Sequence, residues 1–138
     1  MSTPVADPTP FRMPRASLGL SIALCTWNGA QWLPEFLDSV VAQEQLPDEL
    51  VVQDDASSDE TMEILAAFAE RAPFDVRVEQ NPVQLGSSAN FEVALGRCRG
   101  RYIALADQDD IWYPAKLRTL QEELDKDPTV TMVFSDAD

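Results

Sequence analysis

The chain has 138 residues, 45% of them hydrophobic and 25% charged, with a formal net charge of -14 and no histidine. That length suits one domain able to bury a core, and the acid surplus argues against nucleic acid or an anionic membrane surface as partner. Without histidine, neither a His-based triad nor a His-bearing zinc site can be built.

Residues 1–17, with Pro4, Pro8, Pro10 and Pro14, read as a flexible extension before a single domain over residues 18–138. They lack the apolar centre of a signal peptide. From Leu18 to Cys25 an apolar run predicts a first strand, ending at Thr26-Trp27-Asn28-Gly29, whose Asn-Gly pair is turn chemistry. Leu33, Phe36, Leu37, Val40 and Val41 then recur at helical spacing within residues 31–45. Residues 49–53 form a second strand, followed by the polar run Asp54-Asp55-Ala56-Ser57-Ser58-Asp59-Glu60-Thr61. Ser58 or Asp59 there is a helix cap, and Ile64, Leu65, Phe68 and Ala69 make the apolar face of a second helix.

Alternation over residues 74–79 predicts a third strand at a sheet edge. Asn81-Pro82 turns the chain, and Leu85-Gly86-Ser87-Ser88 opens a third helix carrying Phe91, Val93, Ala94 and Leu95. Residues 102–106 are a fourth strand. It runs into Asp107-Gln108-Asp109-Asp110-Ile111-Trp112, after which Pro114 precedes a fourth helix reaching about Lys126. Val130 to Phe134 is expected as a fifth strand. Strands separated by helix-length crossovers imply an α/β fold, Rossmann-like, with a mostly parallel sheet and helices on both faces.

In a parallel sheet Thr26, Asn28, Asp54, Asp55 and the cluster Asp107 to Asp110 share the rim at the carboxyl ends of the strands, where ligands collect. Three carboxylates within four residues repel one another, and a hard divalent cation such as Mg²⁺ or Mn²⁺ relieves that repulsion. The alternative is a solvated acidic loop that caps the next helix. Neither a P-loop nor a G-x-G-x-x-G turn is present. A nucleotide held through a metal-bound diphosphate fits the rim. Cys25 and Cys98 read as reduced core thiols of a cytosolic chain.

These segments, Leu24 to Gly29, Val51 to Thr61, Asn81-Pro82 with Leu85-Gly86, and Ala106 to Trp112, resemble the successive motifs of family-2 inverting glycosyltransferases of the GT-A fold. The form Asp-Gln-Asp-Asp-Ile-Trp is similar to rhamnosyltransferase-like members that build bacterial surface polysaccharides. The resemblance implies that Thr26, Asn28 and Gly86 line a nucleotide pocket. It implies that Asp54 accepts from a uracil or thymine edge while Asp55 supports the same loop. Asp107 and Asp109 would be the D-x-D acids, with Asp109 on Mn²⁺ or Mg²⁺ and Asp107 nearer the ribose or the metal's water shell.

The partners implied are a nucleotide-diphosphate sugar donor and a saccharide or lipid-linked saccharide acceptor. The family extends well beyond this length, so the catalytic base is expected after residue 138 and the chain as the donor-binding half, inefficient alone. Self-association as a homodimer through uncovered apolar surface, and a cytoplasmic location at the inner face of the membrane, complete the expectation. Two rivals are a receiver-like Mg²⁺-binding regulatory module and a nucleotidyltransferase. The first wants acids after the first strand and the second a glycine-rich basic loop there, and Thr26-Trp27-Asn28-Gly29 supplies neither. Trp27 and Trp32 are expected to pack at the core or rim, Trp112 to hold its loop down, and Arg97, Arg99 and Arg101 to be solvated.

Overall fold

The structure is a computed structural model and describes residues 19–137. The extension expected over residues 1–17 lies outside the described residues. Four strands, β1 (Leu20–Thr26), β2 (Glu49–Asp54), β3 (Asp75–Gln80) and β4 (Tyr102–Asp107), alternate with helices α1 (Leu33–Val41), α2 (Thr61–Arg71), α3 (Ser87–Arg97) and α4 (Lys116–Lys126). The strands form one parallel sheet in the order β3-β2-β1-β4.

That order explains where the helices go. The chain steps in one direction from β1 to β2 to β3, then reverses to place β4 on the other side of β1. Right-handed crossovers send helices to opposite faces when the direction of travel reverses. So α1 and α2 pack on one face and α3 on the other. The α1/α2 face holds the main core: Ile22, Leu24, Leu50 and Val52 from the sheet meet Phe36, Leu37, Leu65 and Phe68. Leu117 brings α4 onto the same face, and Trp112 stands edge-on to Phe36, ring centroids 5.2 Å apart. The α3 face is thinner, built on Ala23, Cys25 and Ala94 with Phe91 and Cys98. It leaves Ile103 and Leu105 of β4 exposed.

Helix α1 is shorter than its apolar spacing suggested. Pro34 starts it, and past Val41 the chain turns so that the Gln43 carboxamide donates to the Tyr113 carbonyl and accepts from the Leu117 amide. The apolar faces also narrow: Val41, Ala69, Val93 and Leu95 are exposed. The fifth strand expected at 130–134 does not form. That segment is irregular, with Met132 75% and Phe134 88% exposed. A strand persists only where a neighbour takes its backbone N–H and C=O groups. An apolar run marks a segment for burial without supplying that neighbour. Among the described residues, no helix is long and apolar enough to cross a membrane.

The end of the sheet opposite the acid motifs is closed by Glu49, which is wholly buried. It accepts from the Ser21 hydroxyl, the Arg99 amide and the guanidinium groups of Arg77 and Arg99. Arg97 turns inward to the Val52 carbonyl and Gln53 Oε1. The basic run therefore corrects the expectation of solvated side chains in part: Arg97 is a tie along the carboxyl half of β2, and Arg99, though half-exposed, is a tie at the amino ends of the strands.

Candidate functional site

The parallel register sets Thr26 beside Asp54, Asp54 beside Gln80, and Cys25 beside Asp107. Thr26, Asp54 and Asp107 therefore stand at the same end of the sheet, and the other expected residues follow them in the loops. The loops above them are joined by side chains rather than by a glycine cradle. Asn28 (φ 44°) donates its amide to Ser57 Oγ and accepts from the Ser58 amide, both at 2.8 Å. Asp59 accepts from the Ala30 amide and from the amide and hydroxyl of Thr61, which makes it a crossbar between loops; the residue at the cap position of α2 is Glu60, with no side-chain capping bond, and not Ser58 or Asp59 as expected. Ala56 sits at φ 66°, a conformation unusual for a residue with a Cβ, and strain of this kind gathers at functional rims.

The adjacent acids of this loop have different surroundings. Asp54 is wholly buried and accepts four hydrogen bonds, from the hydroxyls of Thr26 and Ser57, the Ser57 amide and Gln80 Nε2. Its four lone-pair sites are filled. Asp55 accepts three: Asn81 Nδ2 and the Leu85 amide on Oδ1, and the Gly86 amide on Oδ2. One acceptor site on Oδ2 remains. Burial pushes the Asp55 carboxyl upward, but the Leu85 amide, the Asn81 carboxamide and the Gly86 amide outweigh it and hold the group below the usual carboxylate range. Gly86, at φ 96°, is the position where glycine lets the backbone present its amide to Asp55.

Behind Asp55 lies a closed amide ring that sequence reasoning missed. Gln53 Nε2 donates to Asn81 Oδ1, Asn81 Nδ2 to Asn90 Oδ1, and Asn90 Nδ2 to the Gln53 carbonyl. The available signal was Asn90, a polar residue one position before the apolar face of α3. Gln80 and Gln108 were missed as well.

The rim encloses a recess of about 290 Å³ walled by Thr26, Trp27, Asp55, Gly86, Asp107 and Asp109. Asp54 is not on its wall, and Asn28 stands behind it in the loop ties. A wider hollow of about 640 Å³ lies across Asp109, between the start of α4 and residues 135–137. Trp27, 47% exposed, forms the rim as expected, while Trp112 packs down with its amide donating to Ser39 Oγ. Asp110 closes its own turn by accepting from the Asp107 amide.

Partial desolvation at the recess wall first, and then the neighbouring Asp110 and Asp109, raise Asp107 above the ordinary carboxylate range. The Cys25 thiol beside it is pushed up to about 12 by burial and then by Asp107 and Asp55, so it stays protonated and is no nucleophile. Among the described residues, no group of three or more acidic or thiol side chains converges on a ready-made metal cage. The donor set is instead two carboxylates, Asp107 and Asp109, at the mouth of a recess. That fits Mg²⁺ or Mn²⁺, which take one or two carboxylates and complete their shell with water and substrate phosphate.

A raised acid destabilises the fold once ionised: its contribution is fully present below the unfolded carboxylate pKa and is lost as pH rises through the folded one. Asp107→Asn, without divalent cation, should therefore melt about 2 °C higher at neutral pH, a small gain because the group is exposed and screened. Below the ordinary carboxylate range the gain should vanish. Melting curves at the two pH values check both statements, and equal gains at both would refute the electrostatic cause.

The family model for glycosyl transferase family 2 matches residues 21–137. An uncharacterized protein of Mycobacterium tuberculosis is 36% identical over 117 residues, 83% of this chain and 34% of that protein. The mannosyltransferase PcManGT of Pyrobaculum calidifontis, solved with GDP-Man and Mn²⁺, superposes with a TM-score of 0.74 at 28% identity, covering 80% of this chain and 33% of that one. TarS 1-349 of S. aureus, solved with UDP, gives a TM-score of 0.71 at 26% identity over 78% of this chain and 32% of that one. The chain thus spans about a third of the length of these relatives. A doubly wound sheet of GT-A type, acid motifs at one rim and a match over nearly the whole described chain agree: the chain belongs to glycosyl transferase family 2.

Proposed function

We propose that this chain is the donor-binding half of a metal-dependent inverting glycosyltransferase that takes a UDP- or dTDP-linked sugar. The observation that carries this is the pairing, across one recess, of a carboxylate with a single open acceptor site (Asp55 Oδ2) and a pair of carboxylates, Asp107 and Asp109. An ionised acceptor in a buried setting selects a ligand N–H, as the imide edge of uracil or thymine offers. Trp27 at the rim gives the base a flat apolar surface. Asp109 and Asp107 would hold Mn²⁺ or Mg²⁺ against the diphosphate, and neutralising charge on that leaving group is the chemistry such an ion supplies.

The reaction served is displacement at the anomeric carbon by an acceptor hydroxyl that a general base deprotonates. The acceptor class is a saccharide or lipid-linked saccharide of a bacterial surface polysaccharide, and the rhamnosyltransferase-like motif form supports that choice. The relatives solved with nucleotides hold GDP-Man in one case and UDP in another, so base preference is a property to measure.

Calorimetry of UDP, dTDP and GDP, each with and without Mn²⁺, tests the reading. UDP or dTDP should bind only with Mn²⁺, and Asp109→Ala should weaken binding at least about tenfold. A folded chain that binds none of the three with Mn²⁺ present would sink it.

A further inference from the structure

We infer that Gln108, the residue between Asp107 and Asp109, is a positioning residue that fixes both acids against the opposite wall of the recess. Its carboxamide makes two bonds to a single backbone residue: Trp27 N–H donates to Oε1 at 2.9 Å, and Nε2 donates to the Trp27 carbonyl at 3.0 Å. The backbone ladder between β1 and β4 ends at the pair Cys25 and Asp107. Beyond it the Gln108 side chain supplies one more rung, joining the acid loop to the β1–α1 loop where no backbone pairing is available. Among the described residues, no other side-chain hydrogen bond ties residues 107–110 to that loop.

The opposing loop is built around this carboxamide. A Cβ placed on Gly29 would fall on Oε1 and Cδ of Gln108, and would meet its Cγ at 3.1 Å. Gly86 is the one glycine of the described residues in the left-handed region, so Gly29 is needed for space and not for backbone freedom. Gln108 and Gly29 are therefore two halves of one contact, separated in sequence and joined across the recess.

The chemistry requires an amide. A carboxylate at position 108 could accept from Trp27 N–H but would face the Trp27 carbonyl without a proton to donate, and would add a further negative charge to the cluster. An apolar side chain makes neither bond. Without the rung, the mutual repulsion of Asp107, Asp109 and Asp110 is opposed by the turn bonds within residues 107–110 and by the packing of Trp112 beyond them, none of which ties the acids to the opposite wall. A ligand would then have to order the loop as it binds, which costs affinity.

This inference rests on the recess being the donor site, and the experiment separates the two. Affinities for UDP, dTDP and GDP with Mn²⁺ are measured for the wild type, Gln108→Ala, Gln108→Glu, Gly29→Ala and the double variant Gln108→Ala/Gly29→Ala. Melting temperatures of the unliganded proteins are recorded alongside.

Gln108→Ala should bind the wild type's preferred nucleotide about tenfold more weakly, the effect of losing two neutral hydrogen bonds, while melting close to the wild type. Gln108→Glu should bind more weakly still, although it is closer in shape. Gly29→Ala alone should weaken binding by expelling the carboxamide. In the double variant the alanine at 29 should add nothing further, because the group it displaces is already gone. Wild-type affinity in Gln108→Ala, or losses at 108 and 29 that simply add, would overturn the positioning role while leaving the donor site standing. A wild type that binds no nucleotide would overturn both.

Discussion

Glu49→Ala should destabilise the chain by about 3 kcal/mol, the largest loss expected from any single side chain outside the apolar core. The carboxylate has no exposure, and one substitution removes the partner of the Ser21 hydroxyl, the Arg99 amide and two guanidinium groups. The value falls at the low end of the range for broken buried pairs because Arg99 keeps its pairing with Asp75 and both cations can reach water: the Arg77 and Arg99 side chains are 30% and 51% exposed. Glu49→Gln keeps the volume but turns an amide N–H₂ toward those cations, so about 2 kcal/mol is expected.

The pH dependence has a definite sign. Burial raises Glu49, but the Ser21 hydroxyl, the Arg99 amide and the two arginine side chains outweigh it and leave the group below its ordinary value. Its stabilising contribution is therefore present above the unfolded carboxylate pKa and is lost as pH falls through the lower, folded one. Urea titrations at neutral and acid pH measure both effects. A loss under about 1 kcal/mol at neutral pH would show that the cluster is replaceable by water.

The second large effect separates two adjacent acids. Asp55→Asn should reduce nucleotide affinity about a hundredfold, the scale of a charge-assisted hydrogen bond lost together with distortion of its supports. An asparagine can serve Asn81 and the Leu85 amide through its oxygen, but its nitrogen then opposes the Gly86 amide and cannot accept from a ligand N–H. Asp54→Asn should act mainly on stability. Whichever way its amide turns, either the donor hydroxyls of Thr26 and Ser57 or the Ser57 amide and Gln80 lose an acceptor. The fraction that folds should bind within a few-fold of wild type. Calorimetry on both variants under folding conditions checks this. Abolished binding in a folded Asp54→Asn would return the base contact to Asp54, the assignment that the family resemblance implied.

The alternation of strands and helices, the parallel sheet and the gathering of both acid motifs at one rim were all legible in the sequence. Each rests on short-range periodicity combined with the handedness of crossovers. What the sequence did not disclose depends on partners far along the chain. Asp54 and Asp55 are chemically identical neighbours, and only the position of Gln80, Asn81 and Leu85 tells which keeps an open lone pair. Glu49 reads as an ordinary charged residue opening a strand, because burial of an acid is decided by arginines contributed from β3 and from the loop between α3 and β4. Residues 130–134 are an apolar, strand-like run with no neighbouring strand to pair with, so the local signal alone misled.

The crossbars of the rim also impose an order of assembly. Thr26 and Asp54 are 28 residues apart, whereas Trp27 and Gln108 are 81 apart. Closing the longer loop costs more chain entropy and must wait for β4 to insert beside β1. A nascent chain that has threaded only as far as β3 already owns Asp54 and its donors, and gains those of Asp55 on entering the loop before α3, yet has just one wall of the recess. Ligand capture then becomes a kinetic signature of the final insertion step. In refolding, recovery of nucleotide binding should trail recovery of helical circular dichroism by the time β4 takes to dock.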